Sequence, residues 1–259
     1  MLLSIIFIVA LFVAVTYLFG FLYKLAESLN RKYMIRSVGW TGFTILGFIG
    51  VPFHELAHLI MAVVFRYKIT GVALYRPVAG RQDGVLGYVR YSERGKWYEK
   101  LGRFFVGTAP MVFGAVLMFI LIRVFFPQAF VEVTEIPDSL ESLQASLREV
   151  FTGFYSAFSV SGVLGYPLLI VCITGLLICP HLGMSGADFK GTLSGTAFLL
   201  VAGVIIPLFM QFLPWFTFNQ IYAGMSVFLI YYVYALLVGL AISLLSGIFY
   251  WLLAVLLRR

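Results

Sequence analysis

Charged side chains are scarce in this chain. They make up 11% of its 259 residues, against about 25% in an average soluble protein. Hydrophobic residues make up 62%, and the mean hydropathy is +1.01. A water-soluble domain of this size could not bury so much apolar surface, and a disordered chain would not contain it. The composition therefore predicts an all-α polytopic membrane protein with the lipid bilayer as its main surroundings.

Cysteine and histidine are also rare. The two cysteines, Cys172 and Cys179, lie in one apolar run, which excludes a disulfide framework. The sequence contains no phosphate-binding loop, no nucleophile elbow and no nucleic-acid signature. The net charge of +7 falls between the apolar runs, so membrane topology and anionic lipid headgroups explain it better than nucleic acid does. We therefore expect no nucleic-acid partner.

The apolar runs predict about six transmembrane helices, because a spanning helix needs about 20 mostly apolar residues. They cover residues 2–23, 38–65, 104–126, 154–179, 193–212 and 221–257. The first run lacks a basic region and a cleavage site, so we interpret it as a retained helix. The last run is long enough to form either one tilted helix or two segments broken around residues 243–247.

The longest polar segment, residues 66–103, follows the second run. Residues 69–75 and 84–91 within it alternate apolar with polar or small side chains, which predicts a short β-hairpin after the second helix. We divide the chain into an N-terminal transmembrane helix with a polar loop (1–38), a core (39–212) and a C-terminal helix or helices (213–259).

The loops differ in charge. Segment 66–103 contains nine basic residues, whereas loop 127–150 is acidic. The positive-inside rule places the first in the cytoplasm and the second outside. We expect a multi-pass integral protein of the plasma (inner) membrane. The polar stretch 24–37 holds four basic residues and would lie outside, so the sequence leaves the crossing of the first two runs open.

One polar cluster interrupts the second apolar run, the sequence His54-Glu55-Leu56-Ala57-His58. A charged group near the centre of a membrane helix costs about 2.5–3.5 kcal/mol, so this cluster needs a compensating partner. In a helix His54 and His58 lie on one face, where two imidazoles can bind one tetrahedral Zn²⁺. Glu55 is then placed as a general base and general acid for hydrolysis.

Catalytic zinc usually has three protein ligands and one open position. His181 is the remaining histidine, and Asp188 follows seven residues later. Both follow the fourth run and fall on the same membrane side as segment 66–103. Asp188 could instead cap a helix, and His181 could be an interfacial polar side chain. The residues alone leave the third ligand open between them.

In these residues the chain resembles the intramembrane zinc metalloproteases related to the site-two protease. That family has an HExxH in a membrane helix, here His54–His58, and a β-hairpin after it. It has a Gly/Pro motif that opens a later helix, which residues 107–114 resemble. It also has a late Asp that supplies the last zinc ligand, which Asp188 matches by position. The resemblance covers residues 39–212.

The resemblance implies that Asp188 ranks above His181 as third ligand. It also implies that the chain hydrolyses a peptide bond in membrane-embedded or membrane-proximal protein substrates. Phe113 stands where the family has Asn, and Phe189 follows the Asp in place of Gly, so we expect a divergent member. The alternative is a metal-binding membrane scaffold or transporter without proteolysis, which would not need Glu55.

Overall fold

The computed structural model describes residues 2–127, 166–213 and 217–257, with scattered positions between 142 and 155. The predicted all-α polytopic class is confirmed, with one two-stranded sheet. The main elements, in chain order, are α1 (Leu2–Val64), β1 (Lys68–Ala73), α2 (Pro77–Asp83), β2 (Tyr88–Ser92), α3 (Trp97–Phe125), α4 (Tyr166–Ile178), a 3₁₀ turn (Cys179–His181), α5 (Gly186–Met210) and α6 (Phe218–Leu256).

Helix α1 is broken at Gly39, where φ is 72° and ψ is −179°, a backbone conformation that is essentially confined to glycine. Beyond the break the chain turns back. The Arg31 guanidinium lies 5.8 Å from the centroid of the Phe43 ring, and Met34 shares a buried cluster with Phe43 and Val51. We call residues 2–38 the first arm and residues 40–64 the second arm of this helix pair.

The polar stretch 24–37 is helical and not the loop that the sequence predicted. Four residues explain the difference, because Tyr23, Ala26, Asn30 and Met34 recur at helical spacing and are all buried. The Asn30 side-chain NH₂ donates to the Ser243 carbonyl oxygen at 2.8 Å. One face of the stretch is therefore packed in the bundle while its charged residues point elsewhere.

The bundle core forms where α1, α3, the 3₁₀ turn and α6 meet. Tyr23, Met118, Leu182 and Leu236 are buried there in one cluster. Among the described residues, four helices are long and apolar enough to cross a membrane, namely α1, α3, α5 and α6. The protein is thus a membrane protein, while the total of six spans stays a prediction. The last run forms a single unbroken helix.

The sheet agrees with the predicted pairing. Strands β1 and β2 are antiparallel, with Lys68 opposite Ser92 and Ala73 opposite Tyr88. Their connection is longer than a tight turn because Pro77 starts the short helix α2, and proline is favoured in a first helical turn. After β2, Glu93 accepts two hydrogen bonds from Arg103, at 2.5 and 2.6 Å.

Two helices start earlier than the apolar runs suggested. Helices α3 and α5 begin at Trp97 and Gly186, and each has an acidic residue in its first turn, Glu99 in α3 and Asp188 in α5. A capping box between Ser185 and Asp188 closes the start of α5. At the start of α3, Glu99 Oε2 accepts hydrogen bonds from the Arg94 and Lys96 backbone N–H groups, so hydrogen bonding rather than hydropathy sets both boundaries. Most of the acidic loop 127–150 and the start of the fourth run lie outside the described residues.

We predict that Gly39→Ala destabilises the protein by about 1–3 kcal/mol, because alanine resists this backbone conformation. Nothing lies within 4 Å of the position where a Cβ would stand, so steric clash does not contribute. Thermal unfolding in detergent would measure the loss. Gly224→Ala is the matched control, since Gly224 is helical with equally open space, and its melting point should not fall. Equal melting points for both variants would contradict the prediction.

The Glu93–Arg103 contact should depend on pH. Its hydrogen bonds hold the pKa of Glu93 below the ordinary value of 4.5, so the contact stabilises the fold above pH 4.5 and fades as pH falls through the folded-state pKa. Glu93→Gln should cost about 0.2–1 kcal/mol at pH 7, because the pair is largely exposed. Denaturant titrations at pH 7 and pH 3 would test this, and a cost that is equal at both would contradict it.

Candidate metal centre

His54 and His58 lie one turn apart on the second arm of α1, and backbone carbonyls orient both rings. His54 Nδ1 donates to the His181 carbonyl oxygen at 2.6 Å, and His58 Nδ1 donates to the Val106 carbonyl oxygen at 2.8 Å. Since a carbonyl oxygen only accepts, each Nδ1 carries hydrogen and each neutral ring presents a bare Nε2. Such partners are typical of histidines that bind metal.

Asp188 reaches the same place from the start of α5. Its Oδ2 accepts a hydrogen bond from the Ser185 backbone N–H at 2.8 Å, which closes the helix cap. Its Oδ1 lies 3.6 Å from His58 Nε2. The cap contact and the approach to the histidines, which the sequence presented as alternatives, therefore involve different oxygens of one carboxylate.

With both rings neutral, the three side chains bring lone pairs together at one point. The two Nε2 atoms lie 3.1 Å apart, and the possible ligand atoms of His54, His58 and Asp188 all lie within 4.8 Å of one another. Such acceptors repel unless a cation lies between them. Tetrahedral zinc ligands at about 2.0–2.2 Å from the ion lie about 3.3–3.6 Å apart. The two distances from His58 Nε2, 3.1 Å to His54 Nε2 and 3.6 Å to Asp188 Oδ1, are close to that spacing, so these donors are compatible with Zn²⁺.

Two glycines allow the helices to approach closely enough for this geometry. A Cβ at residue 107 would lie 2.6 Å from the Asp188 carbonyl oxygen, and a Cβ at residue 50 would collide with the His181 ring. Gly107 thus lets α3 approach the start of α5, and Gly50 lets the second arm approach the 3₁₀ turn. Gly107 is the first residue of the predicted Gly/Pro motif, which here serves helix packing.

His181 is not part of the ligand group in the described residues. Its ring is buried against the second arm and lies 6.2 Å from Phe43, measured between ring centroids. It contributes its backbone oxygen to His54 instead. The structure therefore brings Asp188, and not the His181 imidazole, to the two HExxH histidines.

Glu55 lines a cavity of about 240 Å³ beside His54. Both arms of α1 form its walls, together with segment 84–87 and residues 180–181. Burial, and after it the charge of Asp188, raises the pKa of Tyr91 in β2 to about 12, so β2 lies within electrostatic range of Asp188. The carboxylate next to the first histidine thus faces an open space that a substrate could enter.

Two charged residues of this cavity, Glu27 and Arg31, were not among the sequence candidates. They belong to the stretch that was predicted to be a loop. Their spacing of four residues places them on one helical face, and that pattern was the available signal. Recognising it required the knowledge that residues 24–37 are helical.

Comparison of the chain with protein-family models, with curated proteins and with solved structures finds no match in any of the three.

Metal analysis of purified protein should give one zinc per chain. His54→Ala, His58→Ala and Asp188→Ala should each lower zinc occupancy at least tenfold under limiting free zinc, because each removes one of three ligands. His181→Ala is the control, since a backbone oxygen survives the substitution, and its folded fraction should keep zinc. Loss of zinc in the His181 variant with retention in the Asp188 variant would reverse the assignment.

Proposed function

We propose that the protein is an intramembrane zinc metalloprotease that hydrolyses a peptide bond in membrane-embedded or membrane-proximal protein substrates. The observation that supports it best is the convergence of His54, His58 and Asp188 within a membrane helix bundle, next to Glu55 and its cavity. Three protein ligands with one open position are typical of catalytic zinc rather than structural zinc.

In this proposal His54, His58 and Asp188 hold the zinc. When bound there, zinc polarises the scissile carbonyl and lowers the pKa of the attacking water. Glu55 accepts the proton of that water and delivers it to the amine that leaves. The His181 and Val106 carbonyls keep both rings in the tautomer that presents Nε2 to the centre.

A substrate helix must unwind before cleavage, because its peptide bonds are otherwise hydrogen-bonded and shielded. Within the residues that the structure describes, strands β1 and β2 pair only with each other, so an outer edge of this sheet could hold an extended segment by strand addition. Its connecting segment 84–87 lines the cavity that Glu55 faces, so a strand added there would run close to the centre.

The test is Glu55→Gln, which keeps the size of the side chain and removes the base. We expect the variant to retain zinc and to lose cleavage by at least about 10²-fold. Labelling of new protein N termini in membranes from cells that express either form would measure cleavage. The wild type should create N termini within or beside membrane spans of other proteins, and Glu55→Gln should not.

Glu149→Gln provides the control, since Glu149 is exposed and does not line the cavity; it should match the wild type. The same new N termini in both the wild type and Glu55→Gln would contradict proteolysis. With zinc still bound, that result would favour the metal-binding scaffold or transporter.

A further inference from the structure

The cavity beside Glu55 has one apolar side and one polar end. Met34, Phe43, Val51 and Leu86 form a single buried cluster and all line it. Its volume of about 240 Å³ is roughly eight times the share of one water molecule in the liquid. It is therefore suited to one long side chain rather than to a folded segment.

The polar end contains Glu27, a half-buried carboxylate that contacts Gly183 at the entrance to α5. No hydrogen bond to its carboxylate and no ion pair within 4.0 Å is found in the described part of the chain. A desolvated carboxylate without a donor is costly, especially at membrane depth. Its position in an accessible cavity indicates that the missing donor arrives with a ligand.

The neighbouring Arg31 donates no hydrogen bond to Glu27, although its charge acts on that carboxylate. It donates to the Gly84 carbonyl oxygen at 3.0 Å and lies over the Phe43 ring, 5.8 Å from its centroid. Arg31 thus links segment 84–87, which lines the cavity, to the first arm at the exposed mouth of the cavity. Glu27 lies deeper along the same helical face and lines the cavity without a hydrogen bond from Arg31.

Building on the proposed protease function, we propose that Glu27 is a specificity-determining residue and that the cavity accepts a lysine or arginine side chain of the substrate next to the bond that is cut. Such a side chain has an apolar stem and a charged head. The stem would pack on the buried cluster, and the head would donate charge-assisted hydrogen bonds to Glu27.

The test uses binding, so that it does not depend on proteolysis. Two fluorescent apolar 20-residue peptides, one with a central lysine and one with a central norleucine, are titrated with the full-length Glu55→Gln protein in detergent micelles. We expect the lysine peptide to bind about tenfold more tightly. Adding Glu27→Gln should reduce this ratio to less than threefold, while adding Glu149→Gln should leave it unchanged.

Equal affinity for both peptides, no binding of either, or a ratio that Glu27→Gln does not change would overturn the proposal. A parallel measurement of cleavage distinguishes failure of this proposal from failure of the proposed protease function. If the wild type creates no N termini beyond those of Glu55→Gln, proteolysis fails, whereas the lysine preference still decides the role of Glu27. If proteolysis holds, basic residues should be enriched beside the cut in wild-type products and not in Glu27→Gln products.

Discussion

The site depends on three electron-pair donors that meet at one point. Two backbone carbonyls accept the Nδ1 hydrogens of His54 and of His58, so each neutral ring turns a bare Nε2 toward the centre. The Asp188 carboxylate joins them within a bundle that lipid surrounds. Such a group repels itself unless a cation occupies its centre, and nearby low-dielectric protein strengthens that requirement.

The path of the backbone creates the space around this group. The break at Gly39 folds the 63-residue helix α1 back on itself, so that one arm brings the histidines and the other brings Glu27 and Arg31. Segment 84–87 lies over the resulting cavity. The first arm is thus part of the candidate site, although the sequence divided it from the core at residue 38.

Local patterns predicted the class of the fold, the paired strands and the residues of the HExxH. Those features depend on spacing within a few turns of chain, which the sequence displays directly. The choice of Asp188 over His181 depends on how α3, α5 and the 3₁₀ turn pack on one another, and residue spacing contains no such information. The stretch 24–37 was mistaken for a loop because its charges obscured the buried face that Tyr23, Ala26, Asn30 and Met34 form.

The two carboxylate oxygens of Asp188 make different contacts. Oδ2 accepts the hydrogen bond that caps the start of α5, and Oδ1 faces His58. The first turn of that helix and the chemistry of the centre are therefore mechanically linked. Fraying at Ser185 would break the hydrogen bonds between Ser185 and Asp188 and shift Asp188 Oδ1, an atom that Ser185 does not hydrogen-bond. Conversely, an ion held at the centre would anchor the beginning of a helix that is largely surrounded by lipid.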